Sequence, residues 1–132
     1  PRVPRGLPKA LSEREVAALL ASVEGTEAAA RRDRAMLEVL YGTGIRISEL
    51  VGLSLGDLDL SDATMRVFGK GAKERVVPLG RYAMEALEAW LSPDGRGAME
   101  PSRWKSRSDA EAVFLNRTGG RLSRQGGWGV LK

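Results

Sequence analysis

The 132-residue chain contains no cysteine and no histidine. A disulfide framework, a thiol nucleophile, a Cys/His zinc site and an imidazole general base are therefore excluded together. Aromatic residues are scarce, at three Trp, two Tyr and two Phe, so aliphatic side chains must fill the core. No apolar run approaches the roughly 20 residues that a membrane-spanning helix needs. The opening Pro1-Arg2-Val3-Pro4-Arg5 lacks the apolar segment of a signal peptide and an initiator Met, and reads as a cut end. A reduced, cytoplasmic setting is the expectation that follows from these absences.

What the chain does contain suits one domain with a buried core: 132 residues, 42% of them hydrophobic. Lys+Arg 21 against Asp+Glu 17 leaves +4, which favours a polyanionic partner only weakly. The excess is concentrated near the end. From Arg103 to Lys132, seven Lys and Arg oppose Asp109 and Glu111, giving 7 − 2 = +5.

Residues 1–8, with three prolines and two arginines, read as a linker. Ser12 and Glu15 have the spacing of a capping box, with Leu11 and Val16 placed as a hydrophobic staple. Val16, Leu19, Leu20 and Val23 then give one helical face, closed by Gly25. A second helix is predicted from about Glu27 to Tyr41, with Met36, Leu37, Leu40 and Tyr41 on one side and Gly42 and Gly44 as its stop. A short third helix begins near Ile45 and buries Ile47, Leu50 and Val51. Thr64–Phe68 and Glu74–Pro78 flank Gly69-Lys70-Gly71-Ala72-Lys73 as a hairpin. Ala83, Met84, Leu87, Trp90 and Leu91 keep helical spacing over Arg81–Leu91, and Met84 and Trp90 read as core. Residues 92–109 read as a surface loop, Val113–Leu115 as a strand, Asn116–Gly120 as a turn, and Ser123 as the cap of a glycine-rich final helix. The fold class is mainly α with a small antiparallel β-sheet.

Two nucleotide motifs fail. Gly69-Lys70-Gly71 does not complete GxxxxGK[ST] and no helix follows it; Gly42-Thr43-Gly44 lacks the third glycine and the βαβ setting. Two cations remain in unusual places. Arg46 follows a glycine-punctuated helix stop inside an aliphatic segment and needs an anion, for which Glu49 is the local candidate. Either the two form a structural ion pair, or Glu49 holds an arginine aimed at a phosphate. Lys70 stands on a two-glycine hairpin tip, where a merely solvated turn lysine is the ordinary alternative.

Read in order, four blocks resemble one family. They are Leu7-Pro8-Lys9-Ala10-Leu11, the run from Arg32 through Tyr41-Gly42-Thr43-Gly44-Ile45-Arg46-Ile47-Ser48-Glu49-Leu50, the run Val67–Gly80 around Gly69-Lys70-Gly71, and Phe114–Gln125. Together they resemble the first part of the catalytic domain of a tyrosine recombinase of the phage integrase family, XerC/XerD type. The resemblance makes residues 1–8 an interdomain linker and 9–132 the N-terminal part of that domain. It implies site-specific DNA cleavage and rejoining through a 3′-phosphotyrosine, with no metal and no cofactor. Arg46 matches the family's first phosphate-binding arginine, Glu49 its supporting acid, and Lys70 the lysine that protonates the leaving 5′ oxygen. Lys73 and Arg75 beside the hairpin tip, Arg121, and Ser123, Arg124 and Gln125 at a helix start are the expected DNA contacts.

The implied partners are a double-stranded recombination site, other recombinase subunits and a cell-division DNA translocase, at the nucleoid. The family's His-x-x-Arg motif and nucleophilic tyrosine find no match here, and Tyr41 and Tyr82 fall inside predicted helices. The expectation is an inactive fragment of a chromosome-dimer resolving enzyme. A mobile-element integrase of the same family, or a non-catalytic DNA-binding or protein-interaction piece, are the alternatives.

Overall fold

The computed structural model describes residues 13–130; the expected linker over 1–8, the Ser12 cap and the Leu11 half of its staple lie outside them. In chain order the elements are α1 (Glu13–Ser22), α2 (Ala28–Thr43), α3 (Ile47–Val51), β1 (Leu58–Asp59), β2 (Thr64–Phe68), β3 (Glu74–Pro78), α4 (Arg81–Trp90), α5 (Arg96–Met99), α6 (Arg107–Glu111) and α7 (Arg124–Val130). Short 3₁₀ turns occupy Leu55–Asp57 and Lys70–Ala72.

Helix α2 is the centre of the molecule. Its buried side chains include Ala35, Met36, Val39 and Leu40, and it packs chiefly against α4 and α1. Tyr41, expected on this buried side, is 46% exposed. Gly42, expected to stop the helix, lies within it; the stop is Gly44 alone, whose φ of 71° lets its N–H close on Leu40 O at 2.9 Å. Trp90 from α4 is fully buried, stacks on Phe114 with centroids 6.3 Å apart, and donates its indole N–H to Val113 O at 2.8 Å. The polar atom of the largest core side chain is thereby satisfied.

The sheet has three antiparallel strands in the order β1-β2-β3. Met65 and Val67 are buried while Arg66 and Phe68 face outward, the period of two that a half-buried strand requires. β2 and β3 form the expected hairpin, with Thr64 opposite Pro78 and Val67 opposite Arg75. Pro78 is tolerated because β3 is an edge strand.

Two segments depart from the sequence reading. Residues 92–109 are not a plain surface loop: they hold α5 and the start of α6. Arg96 is the reason. It is 5% exposed and donates to Ala112 O at 2.9 Å, Ala110 O at 2.8 Å and Glu100 Oε2 at 2.7 Å, with its guanidinium over the Trp104 ring. Burial pulls the Arg96 pKa down against the charge and hydrogen bond of Glu100. Val113–Leu115 is likewise not a strand of a sheet. Its backbone bonds are split among unrelated partners, Val113 N–H to Leu53 O and Leu122 N–H to Phe114 O, with isolated bridges at Ser54–Ala112 and Leu115–Arg121.

Ser123 does cap the last helix, its hydroxyl accepting the Gly126 N–H at 2.9 Å. Gly127 is buried against α3, and a Cβ there would stand 3.2 Å from both Ile47 Cγ1 and Val51 Cγ1. One glycine of this helix therefore sits where a side chain larger than a methyl would not fit without a shift. Gly127→Val should destabilise the chain by about 1–3 kcal/mol through overpacking. Gly127→Ala should be nearly neutral, since the gain in helix propensity of about 1 kcal/mol offsets the tight contact. Urea unfolding of the two variants beside the unaltered chain checks both.

Candidate active site

The site is built from two elements that approach each other from different parts of the chain. The first is the start of α3. Ile45 and Ile47 are 0% and 1% exposed, so both neighbours of Arg46 are anchored in the core. Arg46 itself is the N-cap residue, with extended backbone at φ −80° and ψ 154°. Its N–H is donated to Glu49 Oε1 at 2.8 Å, as the third residue of a helix commonly serves its cap.

The second element is the β2–β3 hairpin. Gly69 N–H closes on Lys73 O at 2.7 Å, and the 3₁₀ turn between them presents Lys70 exposed at the tip. Gly69 approaches α3 so closely that a Cβ would lie 3.2 Å from Glu49 Oε2 and 3.4 Å from Arg75 Nη1. Across this gap Arg75 makes a two-pronged bond to the carboxylate: Nη1 to Oε2 at 3.0 Å and Nη2 to Oε1 at 3.2 Å. This corrects the expected side-chain pairing of Arg46 with Glu49. Arg46 uses its backbone N–H, and the guanidinium partner of Glu49 is Arg75, which the sequence reading assigned to DNA.

Between the two elements lies a cleft of about 570 Å³ lined by Arg46, Glu49, Lys70, Lys73, Glu74 and Arg75 together with Gly44 and Gly69. Arg46 and Lys70 thus meet at a common cavity. Among the described residues neither the Arg46 guanidinium nor the Lys70 ammonium takes part in a hydrogen bond within the chain or an ion pair. Four cations against two carboxylates make the cleft a natural receptor for an anion the size of a phosphodiester. No group of three or more His, Cys, Asp or Glu able to hold a metal ion occurs among the described residues.

The other expected contacts divide. Lys73 lines the cleft, and Ser123, Arg124 and Gln125 are exposed at the start of α7. Arg121 is different. Its guanidinium donates to Val51 O, Leu53 O, Ser54 Oγ, Ser108 Oγ and Ser108 O at 2.9–3.1 Å. Those five bonds use all five N–H donors of an arginine, so Arg121 ties α3 and its exit to α6 and has no donor left for a phosphate. Tyr41 and Tyr82 lie on α2 and α4, are 46% and 62% exposed, and do not line the cleft. Sequence reasoning missed Glu74 as a lining residue and Arg75 as the partner of Glu49. The second had a signal: with Met65 and Val67 facing inward, the hairpin register places Arg75 opposite an inward residue.

Glu49 is the electrostatic centre of this arrangement. Burial alone would raise its pKa, but the hydrogen bonds from Arg75 and from the Arg46 N–H, with the charges of both arginines, hold it below the ordinary glutamate range. A carboxylate with a depressed folded-state pKa contributes stability that is present above its unfolded-state pKa and is lost as pH falls through the folded value. The unaltered chain should therefore lose stability relative to Glu49→Gln on acidification from neutrality to below the ordinary glutamate range. Urea midpoints measured across that range check the convergence of the two curves.

Residues 9–132 match the model of the phage integrase family. The chain is 46% identical over 132 residues to the tyrosine recombinase XerD of Halalkalibacterium halodurans, covering 100% of this chain and 42% of that protein. It is 48% identical over 133 residues to XerD of Mycobacterium leprae, covering 97% and 41%. With XerC of Haemophilus ducreyi it shares 46% over 125 residues, covering 95% and 38%. The chain thus spans about two fifths of the length of these relatives. Among solved structures, the XerA recombinase crystal structure superposes with a TM-score of 0.68 at 24% identity, covering 92% of this chain and 40% of that one. The integrase from mycobacterium phage Brujita superposes at 0.58 and 25% identity, covering 98% and 38%. The match of residues 9–132 to that family model, with 46–48% identity to XerD and XerC, shows that the chain belongs to the phage integrase family, among the tyrosine recombinases of the XerC/XerD type.

Proposed function

We propose that this chain is the first part of the catalytic domain of a site-specific DNA recombinase that cuts and rejoins duplex DNA through a 3′-phosphotyrosine. The observation that carries the proposal is the convergence of Arg46 and Lys70, unpaired within the described residues, on one cleft. In-line attack by a tyrosine oxygen places negative charge on the non-bridging phosphate oxygens, and a bidentate guanidinium at Arg46 can stabilise it. The phosphorus–oxygen bond to the 5′ carbon side then breaks, and the Lys70 ammonium supplies the proton that the leaving oxygen needs. Lys73 in the cleft, and Ser123, Arg124 and Gln125 at the start of α7, are the residues proposed to hold the flanking backbone.

Tyr41 and Tyr82 stand away from the cleft, so the nucleophile and the His-x-x-Arg motif are proposed to come from the remainder of a longer protein. By the same reasoning the chain by itself is proposed to be inactive. The 46% identity to XerD and XerC supports chromosome-dimer resolution over the mobile-element reading. It also supports, as partners, other recombinase subunits and a cell-division DNA translocase, in a cytoplasmic, nucleoid-associated setting. No described helix is long and apolar enough to cross a membrane.

Two substitutions in the full-length protein test the assigned chemistry through single-turnover cleavage rates. Lys70→Ala should slow cleavage of ordinary DNA by about 10²–10⁴-fold and regain speed on a substrate whose 5′ bridging oxygen is sulfur, which leaves without a proton. A variant equally slow on both substrates would remove Lys70 from acid catalysis. Arg46→Lys should cost about 10²–10³-fold, because an ammonium cannot reproduce the two-pronged contact.

A further inference from the structure

Among the described residues, Arg75 is the one cation of the cleft whose side chain is already bound. Both oxygens of Glu49 are taken by its fork, at 3.0 and 3.2 Å. The Glu49 side chain is only 6% exposed, whereas that of Arg75 is 50% exposed. A carboxylate so enclosed needs a countercharge, since an unpaired buried charge is costly. Three other cations line the same cavity: Arg46, Lys70 and Lys73. With Arg75 absent, Glu49 would keep a single donor, the Arg46 N–H, and its charge would draw the nearest mobile cation toward itself. Each such capture removes a group from the anion that the cleft is shaped to hold.

We propose that Arg75 is a positioning residue for the recombination reaction: by neutralising Glu49 with a bidentate bond it keeps Arg46 and Lys70 free for the phosphate. This rests on the function proposed above for Arg46 and Lys70. The fork also fastens β3, and with it the hairpin that carries Lys70, to the N-terminus of α3. Gly69 belongs to the same device, since its missing side chain allows Glu49 and Arg75 to meet beside the hairpin. Arg75 touches no reacting atom in this arrangement and acts only through the carboxylate.

The test is a double-variant comparison in the full-length protein, with single-turnover cleavage and duplex affinity measured side by side. Arg75→Met should cleave about 10- to 100-fold more slowly, the scale of a small misplacement of catalytic groups, with a much smaller fall in DNA affinity than in cleavage rate. Adding Glu49→Gln should restore most of the lost rate. Glutamine still accepts the Arg46 N–H but carries no charge to capture a cation. Arg75→Lys, which keeps the charge and loses the fork, should fall between the two and guards against misfolding of the methionine variant. A double variant no faster than Arg75→Met would overturn the proposal and leave Arg75 as scaffold. A loss confined to affinity, with a shallower salt slope, would overturn it in favour of a direct phosphate contact. Failure of the underlying function is separately visible, because Lys70→Ala would then cleave ordinary DNA at the unaltered rate.

Discussion

A buried carboxylate between two parts of the chain is the constraint around which this molecule is organised. Glu49 sits in the short α3, accepts the N–H of the residue that caps that helix, and receives the guanidinium of a residue 26 positions later on β3. Ion pairs at the surface are worth little, but this one joins an enclosed anion to a half-exposed cation and so fixes a distance between two elements. The cleft exists because that distance is fixed. Its walls are the hairpin tip and the start of α3, and Arg46, Lys70 and Lys73 line it beside the bridged pair.

The same economy of arginines appears elsewhere. Arg96 satisfies two backbone carbonyls and a glutamate beneath the segment joining α4 to α6, and Arg121 satisfies five acceptors around the exit of α3. Arg32 bonds Leu115 O from within α2. In a chain with few aromatics and no disulfide, guanidinium groups serve as the fasteners for irregular backbone, whose polar groups must find partners somewhere. Fewer of the chain's 21 Lys and Arg therefore have donors free for a polyanion than their number suggests.

That use of arginine also marks how far the sequence could be read. The helices with strong periodicity, α1, α2 and α4, and the β2–β3 hairpin follow from the spacing of apolar residues, because burial imposes periods of 3.6 and 2. Arg46 and Lys70 were visible as oddly placed cations, and their meeting at one cleft follows from the hairpin folding back beside α3. What was not legible is where a guanidinium spends its donors. Arg96 in a Pro- and Gly-rich stretch reads as solvent-exposed, yet it is buried and makes the stretch ordered. Arg121 and Arg75 read as DNA contacts for the same reason, since pattern alone does not reveal a carbonyl or carboxylate brought close by the fold. Gly42 and Gly44 look alike in sequence, and only Gly44 takes the left-handed conformation that ends α2.

The contact of α7 with α3 at Gly127 has a mechanical consequence. Ile47 and Val51 rest against bare backbone there, with no side chain of Gly127 to deform and no spare volume to compress. Helix α3 begins immediately after Arg46, so the side chains that Gly127 meets belong to the helix that the arginine caps. A side chain at position 127 would press first on the helix whose N-terminus carries that arginine.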